Sequence, residues 1–296
     1  MKTIILLGPT AVGKTVLSIE LARNIGAEII SADSMQVYRG LDIGTAKPTL
    51  EERQGIPHHL IDIRYPDEEW TVSDFIKGTN NLTTQPPIKI IVGGTGLYLW
   101  SLLEGFSFPI SPADHELRTK LEKLDLNTLN LELRTIDPQS ADKIHPHDKK
   151  RLIRALEVFK LTGKKISELQ KHRTSNIELR TQNYLIIGLD LPRVDLYERI
   201  NQRVDHMFAR GLVNEVKGLL DKGYSPNLPS LQALGYKEVI AHNPENSVSN
   251  NLVEEIKKKT RNFARRQMTW FRRFPEVHWF SPFDKDKIFE LVSKHG

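Results

Sequence analysis

The residues most able to do chemistry sit near the start of the chain. Gly8, Pro9, Thr10, Ala11, Val12, Gly13, Lys14 and Thr15 fit G-x-x-x-x-G-K-[ST], the spacing of a phosphate-binding loop. Two glycines let backbone N–H groups turn inward as an anion nest at a helix N-terminus. Lys14 adds a point charge, and the Thr15 hydroxyl is placed to hold Mg²⁺ on the phosphates. Flanking segments supply the required context. An apolar run, Ile4 to Leu7, suits a buried parallel strand, and Val16, Leu17, Ile19 and Leu21 follow at helical spacing. The loop says that a di- or triphosphate binds. It does not say which.

Further candidates fall where other strands should end. Glu28 to Asp33 reads as a second strand ending in a carboxylate, and Ile88 to Val92 as a third running into Gly93-Gly94-Thr95-Gly96. In open α/β sheets, ligands sit outside the carboxyl ends of strands, so Asp33 and Thr95 are expected on the phosphate loop's rim. Asp33 is either a turn former or a general base, and Thr95 is either turn chemistry or a substrate contact. Arg199 and Arg203, four apart on one predicted helix with Arg210 near its end, form either a solvated face paired to Glu198 and Asp205 or a phosphate clamp. His145 and His147 flank a proline at a helix start and read as turn structure rather than metal ligands. No strand carries a carboxylate with an adjoining hydrolytic glutamate in the usual arrangement, Asp33 and Asp62 being the nearest candidates. A motor-type ATPase or GTPase is therefore disfavoured against a transferase.

The elements that must position these groups alternate. His58 to Ile63 reads as a short strand, and Thr71 to Leu82 as a helix opened by a Thr71/Asp74 capping box. From Ser111 the pattern turns helical, over about Pro112–Lys123, Asn127–Thr135, Pro138–Ile144 and Asp148–Thr162. A strand returns at Tyr184–Leu189. Helices are then expected near Asp195–Ala209, Leu212–Leu220, Leu231–Ala241 and Ser249–Arg273, with an edge strand at Val277–Phe280. The predicted fold is α/β, a three-layer P-loop NTPase-like core with a mostly parallel sheet. The core is expected over 1–110 and 181–296, with an inserted all-helical domain over 111–180.

The chain has 296 residues, a hydrophobic fraction of 39%, no cysteine and a net charge of +5. Disulfides and thiolate metal sites are excluded, and a cytoplasmic setting is expected. A core strand begins almost at once, so no signal peptide is expected, and no run is long enough to span a membrane. Eight of the basic residues lie between Lys257 and Arg273 without an acid among them, which leaves the rest net negative. That run interleaves Phe263, Trp270 and Phe271. It reads as a helix with an apolar side and an uncompensated basic side facing a nucleic acid. Lys149, Lys150, Arg151 and Arg154 form a second, weaker basic cluster.

Together these stretches resemble one family. They are the phosphate loop, Ser31-Ala32-Asp33-Ser34-Met35-Gln36-Val37-Tyr38, Asp42-Ile43-Gly44-Thr45-Ala46-Lys47-Pro48 and Val92-Gly93-Gly94-Thr95-Gly96-Leu97-Tyr98. Arg151 to Val158, Leu234-Gly235-Tyr236 and Arg265-Arg266-Gln267-Met268-Thr269-Trp270 complete the set. The chain resembles the bacterial tRNA dimethylallyltransferases, in their shorter form without a zinc finger. That resemblance implies transfer of a dimethylallyl group from dimethylallyl diphosphate to N6 of the adenosine beside the tRNA anticodon, with Mg²⁺ as cofactor. It implies that the loop, Gly8 to Thr15, binds the leaving diphosphate and that Thr15 holds the metal. Asp33 matches the general base, Thr95 a reaction-channel contact and Arg203 a diphosphate grip. Asp33, Ser34, Met35, Gln36, Thr95, Lys150, Arg151, Leu152, Ile153 and Arg154, with Arg261, Arg265 and Arg266 of the basic helix, become expected tRNA contacts. A monomer is expected. Two other readings stay open on residues alone: a P-loop kinase for a small metabolite, and a non-enzymatic RNA-binding switch.

Overall fold

The structure is a computed structural model that describes residues 3–84, 87–104, 114–171, 184–243 and 248–295. It divides into two compact units, one of 1–103 with 178–296 and one of 104–177.

The larger unit is built on a six-stranded sheet: β1 Thr3–Leu7, β2 Glu28–Ser31, β3 His58–His59, β4 Lys89–Gly93, β5 Tyr184–Leu189 and β6 His278–Phe280. The strand order is β3-β2-β4-β1-β5-β6, and every pairing is parallel. Central strands of a parallel sheet are covered on both faces, which is why β1 is a continuous apolar run rather than an alternating one. Its two faces serve different layers. Ile4 and Leu6 join a core with Leu17 and Leu21 of α1 (Lys14–Ile25) and Leu196 and Ile200 of a later helix. Ile5 and Leu7 join a second core with Phe75 of α3 (Val72–Thr83) and Leu99, Leu102 and Leu103 of α4 (Gly96–Glu104). A four-residue helix, α2 (Leu50–Arg53), precedes β3.

The strand order places the chemistry. β2, β4 and β1 are neighbours, and their registers run Ser31 beside Val92 and Leu6 beside Val92. The loops leaving these strands carry Asp33, Thr95 and the phosphate loop. They therefore emerge side by side, although 61 residues separate Ser34 from Thr95 in the chain. Close approach there needs Gly93: a Cβ on it would lie 2.1 Å from the Ala32 carbonyl oxygen.

Four more helices follow β5: α10 (Arg193–Ala209), α11 (Leu212–Asp221), α12 (Tyr236–His242) and the 22-residue α13 (Asn250–Phe271). They close a third apolar core beneath the loop after β2, with Val37, Tyr38 and Leu41 packed among Val204, Met207, Val216, Tyr236 and Ile256. A last helix, α14 (Lys285–Lys294), packs Ile288 and Val292 on the first core. Among the described residues, no helix is long and apolar enough to cross a membrane.

Two expected elements are shorter than their patterns suggested. The strand read over His58 to Ile63 stops at His59, because Leu60 and Asp62 take left-handed backbone angles, with φ of 60° and 57°. The helix read from Leu231 starts only at Tyr236. Gly235 turns the chain with φ of 97°, and its N–H is capped by Glu238 at 2.8 Å.

The smaller unit is helical: α5 (His115–Glu122), α6 (Leu126–Ile136), α7 (Pro138–Lys143), α8 (Lys149–Thr162) and α9 (Ile166–Lys171). Asp114 caps the first of these, three residues past the expected start; Ser111 and Pro112 lie outside the described residues. Asp137 caps α7 with proline following, as the sequence signature requires. Leu129, Leu133, Leu152 and Leu156 form the core. A charge is buried beside it. The Glu157 side chain is fully enclosed, and it takes Arg118 Nε at 2.8 Å, Arg154 Nη1 at 2.6 Å and the Asp114 N–H at 2.9 Å. Burial alone would raise its carboxyl pKa, but the bonds from Arg118 and Arg154 outweigh that and hold it below the usual range.

Removing one arginine leaves the enclosed carboxylate short of a charged donor, and a hydrogen bond to a charged group is worth about 1.5–3 kcal/mol. Arg118→Ala is therefore expected to destabilise the helical unit by that amount in denaturant unfolding. A loss under about 1 kcal/mol would mean that the network carries no net stabilisation.

Candidate active site

The phosphate loop turns between β1 and α1 with left-handed φ at Ala11 (64°) and Gly13 (110°). Glycine at 13 makes the second of these cheap. α1 has no side-chain N-cap, and among the described residues the N–H groups of Gly13, Lys14, Thr15 and Val16 find no backbone acceptor. Free donors at a helix N-terminus are what an anion needs. Lys14 curls back so that Nζ donates to the carbonyls of Gly8 and Pro9, both at 2.8 Å. Val12 is fully buried in the first core, so it anchors the loop without facing a ligand. The Val12 N–H turns back to the Pro9 carbonyl, and the Thr10 N–H donates to Gln267 Oε1 at 2.9 Å. Of the eight loop residues, Thr10, Ala11, Gly13, Lys14 and Thr15 line the adjacent cavity.

That cavity has a volume of about 420 Å³ and brings the expected site residues together. Lys14, Thr15, Asp33, Ser34, Met35, Gln36, Thr95 and Arg203 all line it. Apolar side chains line it as well: Val204 and Met207 of α10, Ala233 and Leu234 before α12, and Ile256 and Phe263 of α13, with the polar Thr260 and Gln267 on that last helix. Asp33 fulfils the turn-forming role, since Oδ1 accepts the N–H groups of Met35 at 2.8 Å and Gln36 at 3.3 Å. Its second oxygen is left over. Thr95 Oγ1 accepts the Ser34 N–H at 3.1 Å and so ties the two strand-end loops together.

Two half-buried cations, Lys14 and Arg203, share this cavity with one carboxylate, Asp33. Burial drives the Lys14 pKa down to about 7; the neighbouring charge of Arg203 adds to the fall, and Asp33 opposes it. Burial likewise lowers Arg203, again opposed by Asp33. Arg203 Nη2 donates to the Thr45 carbonyl at 3.2 Å. Arg199 lies behind the loop, with Nη1 at 3.3 Å from the Val12 carbonyl and its guanidinium over the Phe283 ring. The solvated-face reading of this arginine pair is thereby overturned. Glu198 bonds Gln202, Asp205 pairs with Lys257, and Arg210 is exposed away from the cavity.

Thr15 and Asp33 offer oxygens to one cavity, and among the described residues no cluster of three His, Cys, Asp or Glu could cage a metal. That donor set suits Mg²⁺, which is commonly held by few protein oxygens and mostly by phosphates and water. Asp62, the other carboxylate considered, binds Lys47 and Arg53 instead.

The basic helix needs correction. Its eight cations are not all uncompensated. Lys257 pairs with Asp205 and Glu254, and Lys259 with Glu238 and Glu255. Arg261 donates to Asn201 at 2.6 Å. Arg265, Arg266, Arg272 and Arg273 remain exposed, with Arg266 over Phe263 and Arg273 over Trp270. Phe271 is core. In the helical unit Lys150 and Arg151 are exposed and Arg154 is held by Glu157, but Leu152 and Ile153 are buried in its core. Those two cannot touch RNA through their side chains. The His147 N–H donates to His145 Nδ1 at 3.2 Å, a local turn.

Two residues escaped sequence reasoning. Gln267, on the buried side of α13, joins the phosphate loop to the Gly94 carbonyl. Glu215 of α11 accepts the N–H groups of Asp42, Ile43 and Gly44 and the Tyr236 hydroxyl, fixing the loop that carries Thr45. The only signal for Gln267 was a polar side chain inside an apolar helix face.

Comparison with known proteins identifies the family. Residues 36–274 match the family described as IPP transferase, and residues 1–67 match isopentenyl transferase. The chain is 44% identical to the tRNA dimethylallyltransferase of Anoxybacillus flavithermus, covering 98% of this chain and 93% of that one. A crystal structure of the tRNA isopentenylpyrophosphate transferase of Bacillus halodurans aligns with a TM-score of 0.72 at 39% identity, over 99% of this chain and 96% of that one. A eukaryotic dimethylallyltransferase, solved acting on tRNA, aligns with a TM-score of 0.81 at 30% identity, over 99% of this chain and 77% of that one. The chain belongs to the IPP transferase family.

Proposed function

We propose that this protein transfers a dimethylallyl group from dimethylallyl diphosphate to N6 of the tRNA adenosine beside the anticodon. The observation that carries this reading is the mixed lining of the cavity. Free N–H donors, two half-buried cations and a set of apolar side chains border one space. A prenyl diphosphate has that polarity. A nucleotide triphosphate would set a sugar and a base against the same apolar side chains, which favours the kinase reading less.

In the reaction the carbon–oxygen bond of the donor breaks and its electron pair leaves on the diphosphate. Lys14, Arg203 and the first-turn N–H groups of α1 stabilise that charge. The N6 lone pair forms the new carbon–nitrogen bond, and the N6 proton passes to the free oxygen of Asp33. Mg²⁺ would be held by the Thr15 hydroxyl and would neutralise charge on the departing diphosphate. Thr95 aligns the two loops between which the base must enter. An adenine inside a stacked anticodon loop cannot reach this cavity, so the base must flip out. Arg265 and Arg266 are the exposed cations nearest in sequence to Gln267, and phosphate contacts are assigned to them.

Incubation with labelled dimethylallyl diphosphate, Mg²⁺ and unmodified tRNA should move label into RNA; phosphate transfer from ATP without label transfer would favour a kinase. Asp33→Asn keeps the acceptor for Met35 and Gln36 but removes the base. It is expected to lower kcat by about 10²- to 10⁴-fold while tRNA binding survives. Full activity in that variant would remove Asp33 from proton transfer.

Desolvation holds the Lys14 pKa down to about 7, whereas a bound diphosphate favours its charged form. Binding above that pH must therefore take up a proton. Pyrophosphate affinity should be greatest below pH 7 and fall by up to about tenfold per unit above it. A flat profile in calorimetry between pH 6.5 and 8.5, corrected for pyrophosphate's own ionisation, would contradict the assignment. The Arg265→Ala, Arg266→Ala double variant should reduce the salt dependence of tRNA binding by about one unit of slope per lost phosphate contact. An unchanged slope would place the RNA elsewhere.

A further inference from the structure

We propose that Gln267 is a positioning residue, whose side-chain amide locks the phosphate loop to the turn after β4 and so sets the diphosphate against Thr95 and Asp33. It lies on α13, distant in sequence from both: 257 residues from Thr10 and 173 from Gly94.

A primary amide at 6% exposure is costly unless both of its ends are bonded. Around it on α13 lie Ala264, Met268 and Phe271, all buried and apolar. Both ends are satisfied, and by backbone of two different loops. Oε1 accepts the Thr10 N–H at 2.9 Å, and Nε2 donates to the Gly94 carbonyl at 2.8 Å. Thr10 needs an acceptor and Gly94 a donor, so only one orientation of the amide serves both.

This bond has a specific consequence. It takes up the Thr10 N–H and fixes the loop just before Gly13, Lys14 and Thr15, which line the cavity together with Thr10 and Gln267. Gly94 is shaped to the same contact. A Cβ there would lie 2.3 Å from Gln267 Nε2 and 3.5 Å from its Cδ, with the Gly8 carbonyl oxygen following at 4.0 Å. The amide therefore sits where any other residue at 94 would stand. Loop, turn and helix meet at one side chain, and neither a shorter nor an apolar residue reproduces both bonds. Gln267 need not touch substrate for this. It acts through Thr10 and Gly94.

The proposal rests on the diphosphate reading of the loop, and the test separates the two. The full chain and its Gln267→Met, Gln267→Ala and Gly94→Ala variants are titrated with inorganic pyrophosphate and Mg²⁺ by calorimetry, and with tRNA by filter binding. Gln267→Met keeps the length and loses both bonds. Pyrophosphate affinity should fall about tenfold, through KM for the prenyl donor in turnover, with tRNA affinity and KM for tRNA unchanged. Gly94→Ala displaces the amide and should give the same loss. Added to Gln267→Ala it should cost little more, since the clashing atoms are gone. Unchanged pyrophosphate affinity with a lowered melting temperature would reduce Gln267 to a packing residue, and additive losses at 94 and 267 would deny the link. If Gln267→Met does not fold, Gly94→Ala alone decides by the same titration. Pyrophosphate binding without prenyl transfer by the unaltered protein would defeat the proposed reaction and leave the Gln267 result standing.

Discussion

Positive charge crowded around a single carboxylate is the constraint on which the rest of this structure depends. Lys14 and Arg203 are half-buried beside Asp33, and desolvation drives the lysine's pKa down to about 7. The N-terminus of α1 adds a partial positive charge of the same sign. Such an arrangement costs stability by itself and returns it when an anion binds. The surrounding bonds are best understood as holding that strain in place. The carbonyls of Gly8 and Pro9 restrain Lys14, and the carbonyl of Thr45 restrains Arg203. Neutral dipoles orient the cations without cancelling them, so their charge stays available to a ligand.

The loop that carries Thr45 shows how far the restraint extends. Lys47 is buried and spends its three donors on the Tyr38 carbonyl, Asp42 and Asp62. Glu215 fills the nest formed by the N–H groups of residues 42 to 44. Gly44 lies so close to the Tyr236 ring that a Cβ would come within 2.3 Å of it. An internal carboxylate thus fills one anion nest, while the protein supplies no carboxylate to the N–H groups at the phosphate loop among the described residues. The difference between a structural and a functional anion site here is whether the protein supplies its own anion.

This division also explains what the sequence made legible. The phosphate loop could be read because its determinants are local: two glycines, a lysine and a hydroxyl within eight residues. Asp33 and Thr95 could be read because a parallel sheet puts all its strand ends on one rim. Gln267 and Glu215 could not, since each acts on backbone more than 170 residues away and any polar side chain on a helix looks alike in sequence. The basic helix was half legible. Its run of cations is real, but Asp205 and Glu238, which neutralise two of them, come from other elements. The shortened strand at His59 and the late start at Tyr236 share another cause. Left-handed turns at Leu60 and Gly235 override periodicity, and hydrophobic patterns carry no record of φ.

Asp33 shows how one residue reconciles two readings that seemed exclusive. As a turn former it spends Oδ1 on the N–H groups of Met35 and Gln36. Those bonds fix the plane of the carboxylate, and with it the direction of the oxygen that remains. A general base is useful only if its lone pair points at the proton to be removed. A freely rotating carboxylate beside Lys14 and Arg203 would swing into an ion pair with one of them and be lost to the nucleophile. Tying one oxygen to backbone prevents that collapse. The turn is therefore what lets a carboxylate share a cavity with two half-buried cations and still serve as the acceptor for a proton.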